Sequence, residues 1–190
     1  MTDNYFDSES YTKIDFTSTK IKKGEYDNCT FTNCNFENIH ASNIQFVQCE
    51  FVDCNFSNSI VKHTAFRDVA FMHCKMIGVK FNECDPFLLQ MRFQSCQLSF
   101  SSFYQVKLPR TAFLNCNLEE VDFTEAWISS SIFDGCDLKK AIFEKTNLEK
   151  VDFTTAFNFS ISPEKNSLKA ARFNRNTIDG LLLQYQIIID

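Results

Sequence analysis

The sequence predicts an all-β solenoid, a chain of short extended pieces wound into a coil with four five-residue segments per turn and a short helix at its C-terminal end. Three observations predict it. An apolar residue recurs every five positions along most of the 190-residue chain. A small or otherwise uncharged residue recurs two places before it. Six cysteines and eight phenylalanines return in every fourth segment, with one shared shift of two.

The five-residue period is the strongest signal. Its centres are Phe31, Phe36, Ala41, Phe46, Phe51, Phe56, Val61, Phe66, Phe71, Met76 and Phe81, and it resumes from Phe93 to Phe153. All 24 centres are apolar and 15 are Phe. Upstream, Phe6, Tyr11, Phe16, Ile21 and Tyr26 hold the same register. The position two residues earlier holds Cys29, Cys34, Ile39, Ile44, Ser59, Thr64 and their equivalents, none of them charged. A period of five fits neither a helix nor a long flat strand. Residues i and i+2 do share one side of an extended segment. Each segment therefore sends two side chains inward and then turns.

The longer repeat gives the number of segments per turn. Cys34, Cys54 and Cys74 are 20 apart, as are Cys96, Cys116 and Cys136, while Cys74 and Cys96 are 22 apart. Phe31, Phe51, Phe71, Phe93, Phe113, Phe133, Phe153 and Phe173 show the same shift. Two extra residues near Asp85-Pro86 explain both columns. The chain is thus a single domain with a first repeat run at 4–84, an insertion at 85–87, a second run at 88–157, and a terminal coil and cap at 158–190.

The period falters at Asn158 and Pro163 and recovers at Leu168 and Phe173. Ile178, Leu181, Leu182 and Tyr185 suit one face of a short helix, with Asn176 or Thr177 as its cap. Ile187, Ile188 and Ile189 follow. Solenoid ends expose open edges that need covering. This tail either caps the coil or forms a self-association surface through Leu181, Leu182, Tyr185, Ile187 and Ile189.

Nine cysteines invite a metal or disulfide reading, and their spacing argues against both. All nine fall at the small inward position, where Cys behaves as a small hydrophobe. Zinc needs four converging ligands, usually with a C-x2–4-C knuckle, and the sequence has none. Thiol-based metal storage would require the column to be accessible. An odd count in uniform stacks does not make a disulfide framework. No metal or cofactor is expected. Burying the Phe centres contributes about 1.5–3 kcal/mol each.

Other function classes recede on similar grounds. Net charge is −5, which disfavours direct nucleic-acid binding. No apolar run nears the roughly 18 residues of a membrane span. The polar, acidic N-terminus MTDNYFDSES is neither a signal nor a transit peptide, so a cytoplasmic location is expected. His40, His63 and His73 fall at outward positions beside no nucleophile, and no phosphate-binding, metalloprotease or hydrolase motif appears. No enzyme is expected.

The segments CTFTN, CNFEN, VDFTE, CDLKK, TNLEK and VDFTT resemble the pentapeptide-repeat family over roughly residues 4–157, with a further coil near 168–178. The resemblance implies a right-handed, quadrilateral β-helix. The tail is similar to those members that end in a helix forming a head-to-head dimer, which implies a homodimer. The resemblance to quinolone-resistance (Qnr) members implies a rod that imitates duplex DNA, binds DNA gyrase or topoisomerase IV and modulates quinolone sensitivity. The longer loops of some Qnr proteins are missing here.

Charge bears on that implication. Five acids and no Lys or Arg lie between Gly24 and Val61, and six acids (Glu119, Glu120, Asp122, Glu125, Asp134, Asp137) lie between Thr111 and Leu138, again without a base. Trp127, Tyr104 and Phe100 fall outside the inward register and join these acids as partner-binding candidates. Phe87 is expected to tuck under the insertion. The competing reading is a general protein-interaction scaffold with an unrelated partner.

Overall fold

Residues 4–188 are described by a computed structural model of the chain. The backbone winds into a stack of coils in which most residues sit over the one 20 positions earlier. One parallel ladder joins β1 (Asn4–Asp7), β3 (Gly24–Asp27), β5 (Gln45–Val47) and β7 (Ala65–Arg67). A second is continuous through β2 (Ser10–Thr12), β4 (Thr30–Thr32), β6 (Glu50–Val52), β8 (Val69–Met72), β9 (Met91–Gln94), β10 (Ala112–Leu114), β11 (Ile132–Asp134), β12 (Asp152–Phe153) and β13 (Arg172–Phe173). These are the first and second walls. The third and fourth are held by single bridges such as Asn35↔Asn55 and Lys80↔Ser102.

Phenylalanine rings fill the interior. Along the second wall the rings from Tyr11 to Phe173 stack with centroids 4.7–5.5 Å apart and planes within 5–13° of parallel. Rings from adjacent walls meet edge to face, as Phe31 meets Phe46 at 87°. Both arrangements suit the aromatic quadrupole. All 24 expected centres are buried.

The small inward position has a second role beyond packing. Its hydroxyl or thiol donates to the carbonyl of the coil below: Thr64 Oγ1 to Ala41 O at 2.6 Å, Thr146 Oγ1 to Phe123 O at 2.8 Å, Cys74 Sγ to Phe51 O at 3.3 Å. Ser59 does the same to Phe36 O. Cys, Ser and Thr recur there because each is small and carries a donor that the coil below can satisfy. The buried Ser101 hydroxyl, by contrast, finds no partner among the described residues.

Corners are made largely without glycine. The residue two past most centres adopts left-handed backbone, as at Asn28, Asn33, Asn38 and Asn43 with φ of 51–59°. Asn tolerates that region best among non-glycine residues. Gly78 and Gly135 take the same corner. The Asp or Asn just before a centre closes many turns: Asn35 Oδ1 accepts from Glu37 N at 3.1 Å, and Asp122 Oδ1 from Thr124 N at 2.9 Å.

The C-terminal cap differs from the sequence expectation. A 3-10 helix spans Arg175–Leu181, and its N-cap is Asn174, whose side chain accepts from Asn176 N. Neither Asn176 nor Thr177 is the cap, because the last inward residue of the coil, Phe173, leaves Asn174 extended at the helix entrance. A separate turn covers Leu183–Tyr185. With about three residues per turn, Ile178, Leu181, Leu182 and Tyr185 do not share one face. Leu181 packs on the core while Ile178 and Tyr185 are exposed. Gly180 lies against Phe159, and its carbonyl accepts from Ile161 N at 3.0 Å.

Candidate interaction surface

The repeat puts the nine partner-binding candidates on all four walls. Glu119, Glu120, Asp137 and Phe100 belong to the third wall, and Asp122, Glu125 and Tyr104 to the fourth. Asp134 lies on the second and Trp127 on the first, where it bridges Lys107. Trp127, Tyr104 and Phe100 are exposed, yet no two of these three share a wall.

Stacking also changes the charge reading. Lysines one coil on reach back to the acids: Lys139 to Glu119 at 2.8 Å, Lys140 to Glu120 at 2.7 Å and Lys145 to Glu125 at 3.7 Å. Farther along, Lys165 sits 2.6 Å from Glu144 and holds its carboxyl below the ordinary range by a charge-assisted hydrogen bond. Exposed pairs add little stability, but they neutralise the three glutamates of the band. Asp134 and Asp137 instead accept from Thr155 Oγ1 at 2.6 Å and Asn158 Nδ2 at 2.8 Å. A linear run of acids without bases is therefore not an acidic face.

The first wall breaks at the insertion. Elsewhere four residues separate successive small inward positions, as between Thr64 and Val69; here six, 85–90, separate buried Cys84 from buried Met91. Backbone bonds from Asp85 N to Thr64 O and from Gln90 N to Phe66 O, both 2.9 Å, pin the ends of this segment. Leu89 packs against the core.

Phe87 does not tuck under the insertion; it is 64% exposed. Its amide donates to Asp85 Oδ1 at 2.9 Å, which turns the chain outward, and the Arg67 guanidinium lies 5.5 Å from its ring centroid. Arg67 also donates to Gln45 at 3.0 Å and faces Asp85 at 3.8 Å. One arginine thus clamps both ends of the turn. Next to it Leu88, with φ of 55°, is 65% exposed.

A groove of about 860 Å³ opens where the wall is broken, along the corner between the first and second walls. Arg67, Arg92 and Arg110 line it with Leu88, Pro109 and Asp68. Arg92 pairs with Asp68 at 3.0 Å and Glu50 at 3.8 Å. Sequence patterns alone do not reveal this concavity, although the displaced register at Asp85 marks its place.

At the C-terminal end, Leu181 and Leu182 are half-buried, while Leu183, Tyr185 and Ile187 are exposed. Ile189 lies outside the described residues. Tyr185 donates to Glu164 at 2.8 Å. Among the described residues no group of His, Cys, Asp and Glu is placed to hold a metal ion, and no helix is long and apolar enough to cross a membrane.

Fold and surface together define a parallel, four-walled β-solenoid with one five-residue segment per wall in each turn. The chain belongs to the pentapeptide repeat family: the model for a pentapeptide repeat region matches residues 25–103, 44–123, 87–154 and 106–183. Among solved structures it is similar to trypsin-treated QnrB1, a plasmid-mediated fluoroquinolone resistance protein, at 14% identity and a TM-score of 0.72, covering 98% of this chain and 92% of that one. A second trypsin-treated form of QnrB1 matches at 15% identity and a TM-score of 0.64, covering 98% and 100%. At such identities the likeness is one of fold. No curated protein matches the chain significantly.

Proposed function

We propose that the chain is a non-enzymatic, protein-binding rod that engages DNA gyrase or topoisomerase IV in the cytoplasm and modulates quinolone sensitivity. The observation that carries this reading is the end-to-end likeness to a fluoroquinolone resistance protein, which spans nearly the whole of both chains. Fold alone is a weak guide to a partner, so the surface must supply the contact. Glu119, Glu120 and Glu125 are already paired with lysines. A DNA-like stripe therefore draws on the N-terminal coils, where Asp7, Glu25, Asp27 and Asp53 have no Lys or Arg partner among the described residues. In this reading the rod is a homodimer through exposed Leu183, Tyr185 and Ile187 at its C-terminal end.

Gyrase supercoiling, with and without ciprofloxacin, over a range of protein concentrations tests the proposal. Inhibition or protection at micromolar protein supports it, and the absence of both removes it. The second reading, a scaffold for an unrelated partner, is favoured by the arginine-lined groove.

A further inference from the structure

We infer that the groove beside the insertion docks an extended segment of a partner protein that presents an acid to the Arg110 end and an apolar side chain beside it. The inference goes beyond the topoisomerase reading and does not depend on it. Charge is the first support. Residues 62–110 hold seven Lys or Arg against three Asp or Glu, a net +4. Positions 1–61 hold nine acids and four bases, net −5, and positions 111–190 hold twelve acids and eight bases, net −4. An acidic rod thus carries a basic waist, and most of the groove's lining, Arg67 to Arg110, belongs to it.

Within the groove the charges are ordered. Asp27 stands at one end and Arg110 at the other. Arg67 and Arg92 are occupied by Asp85 and Asp68. Arg110 and neighbouring Lys107 have no ion-pair partner among the described residues, so this end attracts a carboxylate. Beside it, Leu88 and Pro109 offer an apolar contact, and Leu88 is held outward by its left-handed backbone.

Length fits as well. From Asp27 to Arg110 the groove crosses four coil spacings, about 19 Å at ~4.8 Å each, which is the span of about six extended residues at ~3.3 Å. Alternate side chains of such a segment face the groove. The matching pattern is therefore an acid at the Arg110 end, an apolar residue two places on against Leu88 and Pro109, and uncharged residues toward Asp27. The clamp of Arg67 on Phe87 and Asp85 pre-forms the site, which lowers the ordering cost of binding.

The test uses a fluorescein-labelled hexapeptide with Glu at its first place, Leu at its third and Ser elsewhere, against a control with Lys for Glu. Fluorescence anisotropy with the full chain should show the Glu peptide binding, more weakly as salt rises. Arg110→Glu should weaken it at least about tenfold, the loss of one charge-assisted contact, and should improve binding of the Lys peptide. Leu88→Ser should also weaken it, with circular dichroism unchanged for both variants. Failure of the Glu peptide to bind at millimolar concentration, equal binding of both peptides, or indifference to Arg110→Glu would overturn the inference. A sedimentation coefficient that falls on Arg110→Glu with protein alone would instead assign the groove to a second copy of the chain, and the peptide assignment would fail.

Discussion

Phe71 stacks directly on Phe93, with ring centroids 5.5 Å apart and planes 10° from parallel, although the two lie one insertion farther apart in sequence than any other neighbours in their column. Their backbones pair in register, and so do Val69 with Met91. The two extra residues are absorbed entirely within 85–90, before the second wall begins. Cys96 Sγ still reaches Phe71 O, at 3.4 Å.

Removing Asp85 and Pro86 should therefore leave the solenoid intact. The shortened segment would read Cys84, Phe87, Leu88, Leu89, Gln90, with Leu88 at the inward centre and Gln90 at the corner, an ordinary five-residue segment. Burying Leu88 is worth about 1.5–3 kcal/mol before strain and offsets the core contact that Leu89 gives up as it turns outward. Thermal unfolding should be unchanged or shifted upward, with the same far-ultraviolet circular dichroism. The groove disappears with the loop, so the Glu peptide should no longer bind. A collapse in stability would show that the insertion has a folding role that its local bonds do not reveal.

Corners give a second prediction. Asn38 has φ of 55° and an exposed side chain, and its amide donates to Ser57 O at 2.9 Å. Asn38→Val keeps that bond but places a β-branched residue in the left-handed region, which costs about 1–2 kcal/mol. Asn38→Gly should stay near wild type, since its larger unfolded-state entropy offsets its easier backbone. Denaturant titration of the two variants separates backbone strain from any contact made by the Asn side chain, which both variants lack.

Gly180 is required by close approach. A Cβ there would meet the Phe159 ring and the Phe159 carbonyl oxygen, both at 2.5 Å. The ring could turn, but the carbonyl belongs to the coil backbone. Gly180→Ala should cost about 1–3 kcal/mol, the usual range for overpacking. Because the strain falls where the helix meets the last coil, hydrogen exchange should quicken first at the amides of Ile161 and Leu182. If exchange instead rises evenly along the rod, the cap and the coils unfold as one unit.

The inward columns are legible in the sequence because each centre meets nearly the same environment, so selection of side chains by volume repeats with every coil. The salt bridges were equally available, since Glu119 and Lys139, or Glu125 and Lys145, stand one coil apart. A linear charge count hides them because it ignores the winding. The hydrogen bonds of Cys and Thr to the coil below needed three-dimensional register to appear. The groove was least legible. Phe87 points outward only because Asp85 caps its amide and Arg67, a coil away, covers its ring, and neither contact follows from a local pattern. The helix cap failed for a related reason: Asn174, Asn176 and Thr177 are all competent caps, and the position of Phe173 on the last coil decides among them.

The thiols supply a final prediction, in which pH acts with a definite sign. All nine cysteines are buried, and Cys49 is wholly enclosed. Burial pushes its thiol from an ordinary value near 9 up to about 12, and burial raises Cys29, Cys34 and Cys84 as well. In the unfolded chain Cys49 loses its proton near pH 9, while the native state keeps it until about pH 12. Between those values the native state binds more protons, so stability falls as pH rises. The contribution is fully present below pH 9 and is lost on the way to pH 12. Native protein at about pH 8, below the ordinary thiol range, should show no reaction with Ellman's reagent, and nine thiols should appear in guanidinium. The unfolding midpoint should drop from about pH 9 to about pH 10.5, less steeply for Cys49→Ala than for wild type. Rapid labelling of Cys49 in the folded protein would mean that the coils open locally at the first and second walls, and an equal slope in the variant would assign the pH dependence to other groups.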